Sequence, residues 1–159
     1  MRVGSGFDAH RFAPGPGRPL VLGGVVVHGA SGLEGHSDAD VATHALCDAI
    51  LGAAGLGDLG RHFPDDDAAY EGASSLSLLA RCCEMARAAG FTVGNADVTV
   101  LAAAPRLAGL LEDMAASLST AVAAPVSVKA TTTDGLGSVG RGEGIAATAV
   151  ALLVDPTAP

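Results

Sequence analysis

The clearest pattern of apolar and polar positions in the chain is a helical one that begins after residue 36. Apolar residues recur there at three- and four-residue spacing, as expected for a helix with one buried face. Ser37 and Asp38 are typical N-cap residues, so we expect the helix to begin there and to end near Gly55 or Gly57. The apolar positions of this helix are Val41, Ala45, Leu46, Ala49, Ile50 and Ala53.

The rest of the chain alternates between strand and helix patterns. Strands are predicted over residues 3–7, 95–102, 126–130 and 145–154, and two apolar runs around Gly23 and Gly24 indicate a hairpin or a bulged strand. Further helices are predicted from Ser74 or Ser75 to Gly90, and from Pro105 and Arg106 to about Ala121. The acidic stretch 58–72 is expected to be either a plain surface connection or a functional lid.

This order of elements predicts an α+β fold of two layers, in which helices pack on one face of a mixed β-sheet. The chain has 159 residues and no visible repeat or linker, so residues 1–159 are expected to form a single domain. Hydrophobic residues make up 49% of the chain and aromatic residues only 3%, which predicts a core of Ala, Val and Leu.

Charge and cysteine content narrow the classes of function. The net charge is −8 and the isoelectric point about 4.8, so nucleic acid is not an expected partner, because phosphate binding needs clustered Lys and Arg. The longest apolar run, near Ile145 to Val154, is too short to span a bilayer, and no signal peptide is evident. Cys47, Cys82 and Cys83 form no Cys-x-x-Cys pair, and we expect reduced thiols in a soluble, cytoplasmic protein.

Two segments offer side chains that can bind a metal. Asp8 and His10 lie two residues apart at the end of the first predicted strand, so they project to the same side. Asp40, His44 and Asp48 lie four residues apart on one stripe of the first helix. A strand that supplies Asp and His, beside a helix that supplies a third ligand, could form a zinc site with an open fourth position, as in catalytic sites. Asp48, one turn after His44, is a candidate for orienting an imidazole. Spacing alone also fits loop and core residues without a metal, but three of the five histidines, His10, His36 and His44, lie in these two segments or just before the helix.

A Gly-rich loop connects the last two predicted strands. Gly135, Gly137 and Gly140 match G-x-G-x-x-G, but a β-branched strand follows where a dinucleotide site requires a helix, so we reject that interpretation. The loop's hydroxyls, acidic side chain and free backbone N–H groups suit a diphosphate and its Mg²⁺. An ordinary Gly-rich turn is the alternative.

Four separate motifs resemble the 2-C-methyl-D-erythritol 2,4-cyclodiphosphate synthase family. They are Gly6-Phe-Asp-Ala-His10, the run from His36 to Gly60, Lys129-Ala-Thr-Thr-Thr-Asp-Gly-Leu-Gly137 and Gly140-Arg-Gly-Glu-Gly144. The resemblance covers nearly the whole chain in the family's order and spacing. It implies a lyase that cyclises 4-diphosphocytidyl-2-C-methyl-D-erythritol 2-phosphate, releases CMP and serves isoprenoid precursor synthesis by the methylerythritol phosphate pathway.

The resemblance also implies a set of site residues. The Zn²⁺ ligands would be Asp8, His10 and His44. A second ion, Mg²⁺ or Mn²⁺, would be bound at Asp134, either directly or through a water molecule. His36 and Thr132 would stabilise the transition state. The implied substrate-binding residues are Asp8, His10, His36, Ser37, Asp58, Leu59, Gly60, Phe63, Pro64, Asp65, Asp66, Asp67, Ala102, Ala103, Ala104, Pro105, Arg106, Leu107, Ala108, Ala130, Thr131, Thr132, Thr133, Asp134, Ser138 and Arg141.

Within that set, residues 37–67 would hold the methylerythritol part, and residues 102–108 and 130–132 the cytidine and α-phosphate. Three positions depart from the family: Arg106 replaces an expected Lys, Asp134 an expected Glu, and Ser138 an expected Phe. In trimers of the family, position 138 would lie beside a central cavity that is used for an isoprenoid diphosphate.

The resemblance further implies a homotrimer with active sites between neighbouring subunits. Two alternatives remain open at this point. One is a zinc phosphoesterase in which the metal activates water, and the other is a zinc-stabilised trimeric binding module without catalysis.

Overall fold

The computed structural model describes residues 1–15, 17–64, 66–67, 70 and 72–157. Six strands and five helices, two of them single turns, follow one another along this part of the chain. They are β1 (Arg2–Arg11), β2 (Pro19–Leu22), β3 (Val25–Ser31), α1 (Val41–Ala54), α2 (Leu59–His62), α3 (Ser75–Ala88), β4 (Thr92–Leu101), α4 (Leu111–Val122), β5 (Val126–Thr131), α5 (Gly137–Gly140) and β6 (Gly144–Val154). None of the helices in the described ranges is long and apolar enough to cross a membrane.

The main sheet has four strands in the order β1-β6-β4-β5. β6 pairs antiparallel with both β1 and β4, whereas β4 and β5 are parallel, so the sheet is mixed. The parallel pair needs a crossover connection, and α4 lies in it. β2 and β3 form a separate antiparallel hairpin, whose turn residues Gly23 and Gly24 have φ of +57° and +76°. The predicted α+β fold with a mixed sheet is confirmed, and so is the predicted hairpin.

The two faces of the main sheet differ in their surroundings. α1 packs against β1 and β6, and the alternate residues of β6 from Ile145 to Leu153 are buried beneath it. The opposite face is open in the single chain. Three of its apolar side chains are well exposed: Val3 is 69% exposed, Phe7 61% and Val150 48%.

β1 and α1 approach each other closely because β1 has glycine at two positions that face the helix. A Cβ atom on Gly4 would lie 2.1 Å from the Ala49 carbonyl oxygen, and one on Gly6 would lie 2.0 Å from that of Ala45. Both distances are far below van der Waals contact, so only glycine fits. Since side chains alternate along a strand, Asp8 and His10 lie on the same face as these glycines and point towards α1.

Three predicted boundaries were wrong. β1 continues to Arg11, so Asp8 and His10 lie inside the strand rather than after it. α1 starts at Val41 with Asp40 as its N-cap, because Ala39 has a φ of +57° and interrupts any helix started at Ser37 or Asp38.

The third correction concerns α4, which starts at Leu111 rather than at Pro105. The preceding residues form a turn, in which the Leu110 N–H donates to the Leu107 carbonyl at 2.8 Å. Glu112 and Asp113 in the first turn favour a helix start at this point, because negative charge is stabilised at a helix N-terminus.

The close packing of β1 on α1 gives a testable prediction. Gly6→Ala should lower the free energy of unfolding by about 1–3 kcal/mol or more, because the strand must move away from the helix. Gly52→Ala is the matched control: its Cβ would have no neighbour nearer than the Ser5 carbonyl at 4.0 Å, and alanine should stabilise the helix by up to about 1 kcal/mol. Urea denaturation measures both, and equal effects of the two variants would contradict the packing argument.

Candidate functional site

Asp8, His10 and His44 form a group that could hold a metal ion. Their ligand atoms all lie within 4.8 Å of one another. Asp8 Oδ2 is 3.1 Å from His10 Nε2 and 3.0 Å from His44 Nδ1. β1 supplies the first two residues on one face, and α1 supplies the third. A carboxylate oxygen and two imidazole nitrogens are the donors that suit Zn²⁺, and three protein ligands leave a position for substrate.

Electrostatics favours a cation at this group. Burial alone would raise the pKa of Asp8, but hydrogen bonds and charge interactions with His10 and His44 together outweigh burial and hold that pKa well below its ordinary value. The hydrogen bond to Asp8 raises the pKa of His10, against the opposing effect of burial. The Asp8 carboxylate therefore stays ionised, as a metal ligand must.

Each imidazole turns its second nitrogen towards a hydrogen-bond partner. His10 Nδ1 lies 2.6 Å from the Glu34 carbonyl oxygen. His44 Nε2 lies 2.8 Å from Ser75 Oγ and 3.2 Å from Ser37 Oγ. Such partners fix which nitrogen carries the proton and how the ring is oriented.

Asp48 does not orient an imidazole, contrary to the sequence expectation. Its Oδ1 instead accepts a hydrogen bond from the Leu59 N–H at 2.7 Å, which ties the start of α2 to α1. Burial raises the pKa of Asp48 above its ordinary value.

Asp40 is also outside the metal group, although it shares the helix with His44. It is fully buried and accepts hydrogen bonds from the Gly23, Gly24, Ala42 and Thr43 N–H groups and from the Thr43 hydroxyl, at 2.6–3.1 Å. This carboxylate joins the turn of the β2–β3 hairpin to the N-terminus of α1. Burial raises its pKa, although these hydrogen bonds oppose the shift.

A cavity of about 280 Å³ opens beside the metal group. Its wall contains several of the residues that the sequence predicted to hold substrate, together with Tyr70 and Leu78, which it did not. The described lining residues are Asp8, His10, Gly35, His36, Ser37, His44, Asp48, Leu59, Gly60, Phe63, Tyr70 and Leu78.

Among the described residues of the predicted loop, Leu59, Gly60 and Phe63 line this cavity, whereas Asp58, Pro64, Asp66 and Asp67 do not. Asp58 is the N-cap of α2 and accepts from the Arg61 N–H at 2.9 Å. Phe63 is buried and packs edge-on against Tyr70, with ring centroids 5.2 Å apart. Pro64, Asp66 and Asp67 are exposed. Asp65 lies outside the described residues.

Arg18 contacts the backbone beside His36 and is a residue that sequence reasoning missed. Its guanidinium donates to the Gly35 carbonyl at 2.7 Å and to the Ser37 carbonyl. The side chain thereby holds the backbone on both sides of His36. Arg18 stands in a Pro/Gly-rich loop, and nothing in the local sequence indicates this long-range contact.

Most of the remaining predicted residues belong to the segments at the ends of β4 and β5, where these two strands lie side by side. In this parallel pair Leu101 is opposite Thr131, and the Ala102 N–H donates to the Thr131 carbonyl at 3.0 Å. The segments 102–108 and 130–134 therefore start side by side, at Ala102 and Thr131. Thr132 Oγ1 donates to Asp134 Oδ1 at 3.1 Å, and Thr133 Oγ1 donates to the Leu136 carbonyl.

The structure thus divides the predicted site into two groups. In the part of the chain that is described, neither residues 102–108 nor 130–134 line the cavity at the metal group. Ser138 lines a different cavity of about 560 Å³ with His10 and Phe12. Arg141 forms an ion pair with Glu143, with Nε 2.6 Å from Oε1.

Comparison with known proteins assigns this chain and its fold to a class of enzyme. Residues 1–154 match the model of the YgbB family. The 2-C-methyl-D-erythritol 2,4-cyclodiphosphate synthase of Desulfosudis oleivorans is 56% identical over 161 residues, which cover 99% of this chain and 95% of that protein.

Two solved structures are also similar. The bifunctional IspDF from Campylobacter jejuni superposes with a TM-score of 0.90 at 42% identity, covering 96% of this chain and 42% of that one. The CDP complex of IspF from Plasmodium falciparum has a TM-score of 0.82 at 29% identity, covering 97% of this chain and 96% of that one.

These similarities define the class as lyases that make a cyclic diphosphate. The chain belongs to the YgbB family, in which its relatives are named 2-C-methyl-D-erythritol 2,4-cyclodiphosphate synthases. It is accordingly an enzyme of the methylerythritol phosphate pathway family, as the sequence motifs predicted.

The hydrogen bonds of Asp40 give a second prediction. Asp40→Asn should lower the free energy of unfolding by about 1.5–3 kcal/mol, because an amide NH₂ would replace one of two oxygens that face only donors. Asp58→Asn is the matched control, since Asp58 is an exposed N-cap and asparagine caps equally well. Thermal and urea unfolding measure both variants. A harmless Asp40→Asn change would show that the carboxylate does not join the hairpin to α1.

Proposed function

We propose that the protein cyclises 4-diphosphocytidyl-2-C-methyl-D-erythritol 2-phosphate to 2-C-methyl-D-erythritol 2,4-cyclodiphosphate and releases CMP. An oxygen of the substrate's 2-phosphate attacks the β-phosphorus, and the bond from that phosphorus to the bridging oxygen of the α-phosphate breaks. The observation that carries the proposal is the Asp8, His10 and His44 group beside a cavity, in a chain of the YgbB family.

Asp8, His10 and His44 would hold one Zn²⁺ per subunit. Bound there, the ion would act as a Lewis acid towards a phosphate oxygen. The nucleophile and the electrophile belong to one molecule, so the chain needs no nucleophile of its own. Its task is to hold the two phosphates in a reactive arrangement and to neutralise their charge.

The cavity residues suit the task of holding the methylerythritol part. Leu59, Gly60 and Phe63 form one side of the cavity, and the His36–Ser37 segment forms another. Arg18 donates to the backbone on both sides of His36, which supports our proposal that His36 acts on the transferring phosphate. Phe63 and Tyr70 add two aromatic rings to the lining of the cavity.

The second group of residues suits the cytidine end. Two of the similar solved structures are CDP complexes, and residues 102–108 with 130–132 would form the nucleotide pocket. Arg106 would neutralise phosphate charge there with its guanidinium group, where a lysine was expected to do so with its ammonium group. Asp134, beside Thr132, would hold a second ion, Mg²⁺ or Mn²⁺, on the diphosphate, and Thr132 would contact the transition state.

We also propose that the protein is a homotrimer with its active sites between subunits. Two observations support this: the two groups of site residues do not share a cavity in one chain, and the open face of the sheet exposes Val3, Phe7 and Val150. A ring of three subunits could bury that face and join the metal group of one chain to the nucleotide pocket of the next.

The metal and the reaction are tested together. His44→Ala should remain folded but should lose most bound zinc, measured by elemental analysis, and should release CMP at a negligible rate. His28→Ala, on the exposed strand β3, is the matched control and should keep both properties. Full zinc occupancy in His44→Ala would contradict the ligand set.

Product analysis in the same assay separates cyclisation from hydrolysis. The cyclase keeps both phosphates of the methylerythritol part in the product, so no inorganic phosphate should appear. Inorganic phosphate in step with turnover would instead indicate a phosphoesterase in which the metal activates water.

The shared site is tested by mixing two inactive variants, His44→Ala and the double variant Arg106→Ala/Thr132→Ala, after dissociation and reassembly. About three quarters of random trimers are mixed, and each mixed ring has one intact junction in three, so about one quarter of wild-type activity should return. The control is the same mixture without dissociation, which should stay inactive. Zero recovery, with mixed trimers shown by mass spectrometry, would contradict a shared site.

A further inference from the structure

The ring of His44 presents its two nitrogens to different surroundings. Nδ1 faces Asp8 at 3.0 Å, within the metal group. Nε2 points away from it, towards Ser75 at 2.8 Å and Ser37 at 3.2 Å. A ring nitrogen that binds a metal must offer a lone pair, so the ring proton of a metal-bound His44 belongs on Nε2 and needs an acceptor there.

Ser75 is the better placed of the two acceptors. Its side chain is fully buried, and its contact with Nε2 is the shorter one. Ser37 Oγ already accepts a hydrogen bond from the Ala39 N–H at 3.2 Å. Ser75 therefore provides the main partner of the ring.

A third residue fixes the direction of the Ser75 hydroxyl. The Asp38 carboxylate accepts both from the Ser75 hydroxyl and from the Ser75 N–H, the latter at 3.0 Å. An ionised carboxylate can only accept, so the hydroxyl proton points to Asp38 and the oxygen's lone pairs remain for His44. The chain of bonds runs from His44 Nε2–H through Ser75 to Asp38.

The three residues come from different parts of the fold. His44 lies on α1, Ser75 is the first residue of α3, and Asp38 lies in the segment before α1. Backbone bonds keep these segments in register: the Asp38 N–H donates to the Ala73 carbonyl at 3.1 Å and the Gly72 N–H to the His36 carbonyl at 2.9 Å. The position of Ser75 is thus set by tertiary structure.

We infer that Ser75, held by Asp38, is a positioning residue that fixes the tautomer and orientation of His44 as a metal ligand. The inference rests on the proposed metal function and adds a residue that does not itself contact the ion or the substrate. The bonded hydroxyl keeps the Nδ1 lone pair directed at the metal, and its loss leaves the ring free to turn or to change tautomer.

Zinc affinity, measured by competition with a chromophoric chelator, tests the inference. Ser75→Ala should bind zinc about 10–100-fold more weakly than wild type, as is typical when an outer partner of a metal-bound histidine is lost. Ser75→Thr, which keeps the hydroxyl, should recover most of the affinity. Ser77→Ala is the matched control, because that serine lies two residues along α3 and donates only to the Ser74 carbonyl, at 2.6 Å.

A second measurement separates positioning from general support of the fold. Proteins saturated with Co²⁺ in place of zinc report the ligand field in their visible spectrum. Ser75→Ala should shift the bands relative to wild type and Ser77→Ala, whereas a merely structural role would leave the spectrum of the loaded protein unchanged.

Either an unchanged zinc affinity or an unchanged Co²⁺ spectrum in Ser75→Ala overturns the inference while leaving the metal function intact. If the wild-type protein takes up neither ion, the metal function fails and the inference fails with it.

Discussion

The close approach of β1 to α1 is the constraint on which the site depends. Gly4 and Gly6 let the strand lie directly on the helix backbone, and the next two residues on the same face of the strand are Asp8 and His10. The distance between strand and helix thus sets the distance from Asp8 and His10 to His44, the three side chains that are the candidate ligands of a metal. A bulkier residue at position 4 or 6 would move the ligands apart even though it touches none of them.

Three aspartates around His44 each hold a different structural element in place. Asp40 is buried and satisfied by backbone donors from the hairpin turn and from α1. Asp38 holds the start of α3 and directs the Ser75 hydroxyl. Asp48 holds the start of α2. Each carboxylate fixes a different element against α1 or the segment before it, and two of those elements, α2 and α3, contribute Leu59, Gly60 and Leu78 to the wall of the cavity.

Local pattern was enough to predict that Asp8 and His10 share one face of a strand and could join a helix residue in a metal group, because side chains alternate with a two-residue period in a strand. The choice of His44 as the third member came from the family resemblance. It was not enough to place the N-terminus of α1, since Ser37, Asp38 and Asp40 are all good caps and only the positive φ of Ala39 decides between them. Asp48 was assigned to the wrong partner because spacing along a helix does not show what packs on that stripe. Ser75 was read only as a cap, and Arg18 carried no signal, because their contacts join residues far apart in sequence.

The alternation of side chains along β1 links the metal group to the proposed assembly. One face of the strand carries Gly4, Gly6, Asp8 and His10, while the other carries Val3 and Phe7, which are exposed in the single chain. A neighbouring subunit that packs on the face of Val3 and Phe7 would restrain the strand and so limit the motion of Asp8 and His10 on the opposite face. Under the proposed trimer, the same strand therefore serves the interface and the metal, and loss of the neighbour is expected to loosen the ligands as well as to remove the nucleotide pocket.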